Sequence, residues 1–294
     1  MTEKDRLLQI DLAEGQARVF LCDTTETVQT CSDIHRATPV CAAALGRLLT
    51  GTAMLGLMQK GENESVTVSI KGDGPMGTLI AIADQGDVRA CADDPTVQLP
   101  LNAQGKLDVG NAVGHAGRMN VIRDLGNGKQ YIGQSEIVSG EIAMDFANYF
   151  AVSEQQPSLV ALGVLTHEAT ILKAGGILIQ PLPGCQEETL QQLELRSPMF
   201  ADVSRELTFA PLEELAEGWF RGLSPRILAE NPIRYRCTCS RERMEKALIS
   251  LGAKELSSLI AEGEGAELSC HFCHSHHHFT TEDLTALLQR AQDK

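Results

Sequence analysis

Two close pairs of cysteines near the end of the chain have the residue type and the spacing of a metal site. Cys237 and Cys239 form a C-x-C pair, and Cys270 and Cys273 form a C-x-x-C pair further along. Four thiolates can surround one Zn²⁺ ion tetrahedrally, and each close pair lets one tight turn present two sulfur atoms. The segment between the pairs is longer than in usual zinc ribbons. The sequence still predicts a site for one zinc ion per chain, in preference to four unrelated thiols or two structural disulfides.

Oxidation is a second chemistry open to the same four cysteines. Zinc binds thiolates, and the thiolate is also the form of cysteine that oxidants attack. The two members of each pair are close enough in sequence to be oxidised together, and each disulfide would remove two zinc ligands. Such a site is either a structural pin or a redox switch, and the motif alone does not distinguish the two.

Other residues that could take part in chemistry are explained more simply by structural roles. Four thiolates fill a structural zinc site, so the histidines around the second pair are expected to form a polar surface, the alternative being further metal ligands. No nucleophile–base signature is present, and the G-x-G-x-x-G at residues 72–77 is expected to be a turn, because a strand pattern follows it where a nucleotide site needs a helix. The histidines around the second pair are His271, His274, His276, His277 and His278. The isolated histidines, His115 and His167, are expected to lie in loops or in the core. The lone cysteines are expected to be buried small residues, and they are Cys22, Cys31, Cys41, Cys91 and Cys185.

Composition argues against some classes of partner. The chain has 294 residues and a net charge of −14, which disfavours nucleic-acid binding because that affinity comes largely from Lys and Arg. The first residues from Met1 lead into no apolar run, so no signal peptide is expected. The longest apolar stretch, residues 39–58, contains Arg47 and is expected to be a buried helix, not a membrane span. We therefore expect a cytosolic protein with reduced cysteines.

The periodicity of apolar residues predicts an α+β fold. Thr38 and Pro39 have the residue types of a helix start, with Thr38 as the N-cap. Residues 95–128 show weak periodicity, and a second helix is predicted from Ser139 onward. Strands are predicted at residues 7–12 and 17–22 as a hairpin, at 65–71, 77–84 and 87–92 as an antiparallel meander, and at 130–138, 159–165 and 170–179.

Changes in composition divide the chain into three predicted parts. Residues 1–184 are expected to form a core domain with a mixed or antiparallel sheet and packed helices. Residues 185–231 are expected to form a helical linker of three helices, the third at 221–231, with Trp219 as a packing residue. Residues 232–294 are expected to form a small zinc module with a helix capped by Ser240. This module has few large apolar groups, so zinc binding would supply much of its folding energy.

The sequence also resembles the bacterial family of redox-regulated holdases known as the 33 kDa chaperonin, or heat shock protein 33. The resemblance covers nearly the whole chain. It is carried, in order, by Gly46-Arg47-Leu48-Leu49-Thr50, Gly72-Asp73-Gly74-Pro75, Ser139-Gly140-Glu141-Ile142-Ala143, Tyr149-Phe150 with Ser153-Glu154-Gln155, Gly175-Gly176 with Ile179-Gln180, Cys237-Thr238-Cys239-Ser240 and Cys270-His271-Phe272-Cys273.

The resemblance implies an ATP-independent chaperone in the cytosol that is not an enzyme. In the family, the reduced protein binds zinc through the four cysteines and is inactive. Oxidation by hypochlorite, or by peroxide with unfolding stress, forms disulfides that here would be Cys237–Cys239 and Cys270–Cys273. Zinc leaves, the C-terminal module unfolds, the linker loosens and exposed apolar surface binds unfolding client proteins. The oxidised protein forms a homodimer, and neither nucleic acid nor a membrane is expected as a partner.

The sequence departs from the family pattern just after the second cysteine pair. Family members commonly carry aromatic residues where this chain has His276, His277 and His278 before Phe279. Imidazole provides less apolar area than a phenol ring, so we expect weaker packing around the zinc site and a lower activation threshold, more so at mildly acid pH. Tyrosines at His277 and His278 should then slow the loss of zinc under oxidant.

Two other functions fit parts of the sequence. A zinc-ribbon module that binds nucleic acid is disfavoured by the net charge of −14 and by the lack of a basic, aromatic-lined face. A thiol oxidoreductase that uses Cys270 and Cys273 is disfavoured because this C-x-x-C lies outside any βαβ pattern. A salt-dependent shift of RNA would support the first, and turnover of a small disulfide would support the second.

Overall fold

The computed structural model describes residues 5–59, 61 and 63–292. The chain divides into two units, Met1–Arg236 and Cys237–Lys294, which we call the core unit and the cysteine unit. Their boundary lies near residue 232, where the sequence predicts the start of the zinc module, and the predicted linker at 185–231 lies within the core unit. Residues 1–4, on which the expectation of no signal peptide partly rests, lie outside the described residues.

The core unit combines strands and helices, which confirms the α+β class. In chain order its elements are β1 (Arg6–Leu12), β2 (Ala17–Asp23), α1 (Thr25–His35), α2 (Pro39–Leu57), β3 (Ser65–Gly72), β4 (Thr78–Asp84), β5 (Asp87–Ala92), α3 (Val109–Val113), β6 (Gly117–Asp124), β7 (Gln130–Glu136), α4 (Ala143–Val152), β8 (Leu159–His167), β9 (Thr170–Pro181), α5 (Glu187–Phe200), α6 (Val203–Glu206), α7 (Leu212–Trp219), β10 (Arg226–Pro232) and β11 (Arg234–Tyr235).

One five-stranded antiparallel sheet has the strand order β10-β1-β2-β9-β8. The predicted hairpin of β1 and β2 is confirmed. Successive residues of β1 point to opposite faces, so Leu7 joins the apolar cluster around α2, while Leu8 and Ile10 join a cluster with α5, α6 and α7. Both faces of β1 are therefore buried.

A second sheet has the order β11-β5-β4-β3-β6-β7. Strands β3, β4 and β5 form the predicted antiparallel meander, and β11 alone pairs in parallel, with β5. No helix begins at residues 72–77, because β4 follows directly, so the expectation of a turn there is confirmed. Strand β6 arises in the segment of weak periodicity; Met119 and Val121 alternate into the core there.

Helix α2 lies between the two sheets and contacts β4 on one side and β8 on the other. It is long and apolar enough to cross a membrane, but 94% of its apolar window is buried inside the protein, as expected for a core helix. A side chain at Gly51 would collide with the ring of Phe146, so the small residues of α2 allow close packing. The predicted helix start is confirmed, with Thr38 at the N-cap position and Pro39 as the first helical residue, although the Thr38 hydroxyl donates to the carbonyl oxygen of Val97 at 2.5 Å and does not cap the helix.

The predicted linker forms α5, α6, α7 and then a strand. The helices cover one face of the first sheet, where the ring of Phe200 lies 5.2 Å from that of Trp219 and 5.7 Å from that of Phe220. The third helix predicted at residues 221–231 is wrong. Gly222 has a φ of +87°, which helices do not use, and residues 226–232 instead pair with the edge of β1 as β10.

The cysteine unit contains two helices, a hairpin and a final helix: α8 (Arg241–Ser250), α9 (Ala253–Glu262), β12 (Ala266–Ser269), β13 (His276–Phe279) and α10 (Thr281–Gln292). The predicted cap by Ser240 is confirmed, since its Oγ accepts a hydrogen bond from the amide of Arg243 at 3.3 Å. The apolar core of this unit is small, and its buried members are Leu248, Leu256, Phe279, Leu284 and Leu287.

Candidate metal centre

Two loops of the cysteine unit carry the four cysteines. Cys237 and Cys239 lie in the loop that leads into α8, and the guanidinium of Arg243 donates a 2.6 Å hydrogen bond to the Thr238 hydroxyl between them. Cys270 and Cys273 lie in the turn between β12 and β13. The amide of Cys270 donates to the carbonyl of Ser275, at 2.9 Å, which closes this turn. Hydrogen bonds between residues close in sequence therefore stabilise the segments that carry both cysteine pairs.

The four sulfur atoms converge on one point. All four Sγ atoms lie within 4.8 Å of one another. The Sγ of Cys237 is 3.6 Å from that of Cys270, and the Sγ of Cys239 is 3.4 Å from that of Cys273. A Zn–S bond of about 2.3 Å gives a tetrahedron with edges of about 3.8 Å between sulfurs. The donor set and its dimensions therefore fit one tetrahedral metal ion.

The protonation of the thiols also favours a cation. Burial raises the pKa of Cys237 and, less strongly, that of Cys239. Burial also acts to raise the pKa of Cys273, but hydrogen bonds from the side chain and amide of Ser275 and from neighbouring thiols outweigh it and lower the pKa to about 7. The pKa shifts therefore stabilise the Cys273 thiolate, while Cys237 and Cys239 resist ionisation. A metal ion supplies the positive charge that allows all four to ionise.

Ser275 is a polar neighbour of the cluster that the sequence does not single out. Its Oγ lies 3.2 Å from the Sγ of Cys239 and 3.2 Å from the Sγ of Cys273. The hydroxyl therefore contacts one sulfur from each loop. Its position two residues after the C-x-x-C pair is a weak sequence signal, because a serine there is also common in ordinary turns.

The histidines around the second pair do not join the sulfur cluster. His276 and His278 contact the carboxylate of Glu267, with Nδ1 to oxygen distances of 2.6 Å and 3.0 Å. The Nε2 of His277 lies 3.4 Å from the Oγ of Ser275. Among the residues that the structure describes, the four cysteines form the one group of three or more potential ligands within 4.8 Å. His271 and His274 are exposed.

The isolated cysteines and histidines lie outside this cluster. Cys22, Cys31 and Cys41 are buried as expected, but Cys91 and Cys185 are half-buried, so that part of the prediction is wrong. Cys91 is the last residue but one of β5, and Cys185 lies in the loop after β9, where the chain is partly open to solvent. His115 lies in a loop, with Nδ1 2.9 Å from the carbonyl of Ser139, and His167 is exposed at the end of β8.

Known proteins resemble this chain along nearly all of its length. A family model described as Hsp33 protein matches residues 5–280. The chain is 42% identical over 287 residues to the 33 kDa chaperonin of Ruminiclostridium cellulolyticum, covering 97% of this chain and 98% of the relative. It is 43% identical over 297 residues to the 33 kDa chaperonin of Alkaliphilus oremlandii, covering 99% and 98%.

A solved structure shows the same architecture. The crystal structure of the 33 kDa chaperonin (heat shock protein 33 homolog) from Thermotoga maritima superposes with a TM-score of 0.88 at 31% identity. The superposition covers 99% of this chain and 100% of that chain. The similarity therefore includes the core unit and the cysteine unit alike.

Proposed function

Since this chain belongs to the Hsp33 family of chaperones, we propose that it is an ATP-independent holdase switched on by oxidation. In this proposal the reduced protein is inactive and the oxidised protein binds unfolding proteins in the cytosol, as a homodimer and without catalysing a reaction. The observation that carries the proposal is the convergence of four sulfur atoms within 4.8 Å, in a unit with a small apolar core.

We assign Cys237, Cys239, Cys270 and Cys273 as the ligands of one zinc ion. When bound, zinc supplies the charge that keeps four neighbouring thiolates together. Bound to one ion, the four thiolates link the loop before α8 to the turn between β12 and β13. Without the ion, these two segments are connected only through the rest of the unit. Because the apolar core is small, the link through the ion is a large part of what keeps the cysteine unit folded.

Oxidation converts each pair of thiolates into a disulfide. The first thiolate attacks the chlorine of hypochlorous acid and releases hydroxide, and the second displaces chloride from the chlorinated sulfur. With one proton to neutralise the hydroxide, two thiolates and one hypochlorous acid give one disulfide, one chloride and one water. Hydrogen peroxide and two protons give one disulfide and two waters. Either way the two sulfurs lose two electrons and cease to be ligands.

The pairing of the disulfides decides whether the unit opens. Disulfides between Cys237 and Cys239, and between Cys270 and Cys273, each stay within one loop, so the two loops are no longer joined. Disulfides between Cys237 and Cys270 or between Cys239 and Cys273, whose sulfurs are 3.6 Å and 3.4 Å apart, would join the loops covalently instead. We propose that the disulfides form within each loop, because this pairing leaves the two loops unlinked and allows the unit to unfold.

The linker is the second part of the proposed switch. The helices of the linker, residues 185–231, cover the face of the first sheet that carries Leu8, Ile10 and Leu21. The linker also presents Leu195 and Phe209, which are 74% and 72% exposed. We propose that unfolding of residues 232–294 loosens the linker and uncovers this apolar face, and that the domain at residues 1–184 then binds clients and dimerises.

Aggregation of a heat-unfolded client protein, without ATP, tests this proposal. Oxidised full-length protein should suppress aggregation and zinc-loaded reduced protein should not. Cys270→Ser removes one ligand and should suppress aggregation without oxidant, whereas Cys185→Ser, outside the cluster, should behave as the wild type. Oxidised protein without activity would contradict the proposal. A salt-dependent RNA complex or turnover of a small disulfide would point to the other two functions.

A further inference from the structure

The hairpin of β12 and β13 has one face in the core and one in solvent. Phe279 and Leu268 face the small core. Glu267 is directly opposite His278 in the register, and Ser269 is opposite His276. Because side chains alternate along a strand, Glu267, His276 and His278 share the solvent face, and all three are exposed. The hairpin therefore groups two imidazoles and one carboxylate on a single open surface.

One carboxylate contacts both imidazole rings, in each case at the Nδ1 atom. Oε1 of Glu267 lies 2.6 Å from Nδ1 of His276, and Oε2 lies 3.0 Å from Nδ1 of His278. A neutral imidazole that donates Nδ1–H to a carboxylate keeps its lone pair on Nε2. This arrangement fixes the tautomer and orientation of metal-binding histidines and makes the ring a stronger ligand. Glu267 thus prepares two neighbouring rings in the same way.

We propose that His276 and His278 form a second divalent-metal site, with their Nε2 atoms as ligands and Glu267 as the residue that orients them. Imidazole nitrogen suits Ni²⁺, Cu²⁺ and Zn²⁺, and water would complete the coordination of an exposed two-histidine site. This site differs from the cysteine centre in its donor atoms and contains no thiol. Because the hairpin lies in the unit that is proposed to unfold on oxidation, this site belongs to the reduced, folded protein.

Calorimetric titration of the reduced, zinc-loaded, full-length protein with Ni²⁺ tests the proposal. Nickel is the probe because copper oxidises thiols. The wild type should bind one additional metal ion per chain. His276→Asn and His278→Asn should each weaken this binding at least tenfold, since each removes one of two ligands. Glu267→Gln, which keeps both ligands but loses the carboxylate, should weaken it by about 10–100-fold.

Zinc retention and a control variant separate this site from others. Zinc content is measured before and after titration, and it should stay at one ion per chain in every variant. His167→Asn removes an exposed histidine of the core unit and should bind Ni²⁺ as the wild type does. The proposal is overturned if the wild type binds no additional ion, if nickel uptake matches zinc loss, or if the affinity of both hairpin variants is unchanged.

Discussion

Ser275 shows, at the scale of single residues, how a neutral side chain can support the proposed metal centre. Its hydroxyl lies 3.2 Å from one sulfur of each cysteine pair. The four cysteines can be predicted as ligands from the sequence alone, because the residue type and the close spacing identify them. The sequence does not predict Ser275, because the contact with Cys239 joins residues far apart in the chain and depends on how the turn between β12 and β13 folds.

Ser275→Ala should weaken zinc binding by about tenfold, because partners of the ligands typically contribute 10–100-fold to metal affinity. Competition with a chromophoric chelator measures this affinity in the reduced protein. Ser275→Thr retains the hydroxyl and is the matched control. Equal affinities for the alanine variant and the wild type would show that the hydroxyl does not support the site.

His277→Tyr should slow zinc release under oxidant, and His278→Tyr should do so less. The two residues are neighbours on β13, but His277 is half-buried opposite Leu268, whereas His278 has 73% of its side chain exposed. A larger apolar ring can add packing only where it is covered. The rate of zinc release, followed with a zinc-sensitive dye, distinguishes the variants. Equal rates for both variants and the wild type would remove the packing hypothesis.

The burial of Asp5 should give the core unit a pH-dependent stability. It is 3% exposed, and burial raises its pKa to about 6 although it accepts hydrogen bonds from the amides of Glu26 and Thr27. The folded state therefore binds a proton more tightly than the unfolded state. The stability from this group is present below the unfolded pKa, near 4, and is lost as pH rises through 6.

Asp5→Asn should remove this dependence. Between pH 4 and pH 7 the wild type should lose up to about 3 kcal/mol of unfolding free energy relative to the variant, since one pKa unit corresponds to about 1.4 kcal/mol. Urea unfolding of the core unit at a series of pH values measures the difference. A difference between the two proteins that is constant over this range would contradict the assignment.

At the scale of elements, β10 shows what local sequence patterns cannot predict. The sequence predicts a helix at residues 221–231, yet residues 226–232 form a strand because the edge of β1 offers backbone partners. Strand β11 similarly pairs with β5 in the other sheet. Both partners are distant in sequence, so no local periodicity signals them. The hairpin of β1 and β2 was predictable because its strands are adjacent and have apolar runs of matching length.

Arg6 of β1 connects the linker to the first sheet. Its guanidinium lies 2.8 Å from the carboxylate of Glu213 in α7 and 2.9 Å from that of Glu230 in β10, and its side chain is 17% exposed. Loss of both ion pairs should loosen the linker without altering the cysteine centre. Arg6→Gln should therefore lower the stability of the linker by about 1 kcal/mol, the upper range for such pairs.

The reduced Arg6→Gln variant should suppress client aggregation more than the reduced wild type, and protease should cleave its linker faster. Arg226→Gln is the matched control, because Arg226 pairs with Asp11 but is 72% exposed, and exposed pairs contribute little. The contrary result is an Arg6 variant that matches the control in both assays, with no gain in the suppression of aggregation and no faster cleavage by protease. That result would show that these ion pairs do not hold the linker.

At the scale of the whole molecule, the two units differ in how they are stabilised. The core unit has extensive apolar clusters on both faces of its first sheet, whereas the cysteine unit has only a small one. Loss of metal ligands should therefore unfold the cysteine unit and leave the core unit folded. This asymmetry was partly visible in the sequence, because large apolar residues are less frequent after residue 232 than before it. It is also the property that a switch based on four cysteines requires.

The most direct test of this account follows zinc, thiols and chaperone activity in one sample of protein treated with increasing hypochlorite. The account predicts that one zinc ion leaves for every four thiols lost and that suppression of client aggregation rises in parallel. Peptide mapping should find disulfides within each pair, Cys237–Cys239 and Cys270–Cys273. Zinc that stays bound while activity appears, or zinc that leaves without any gain in activity, would contradict the account and leave the site a structural pin.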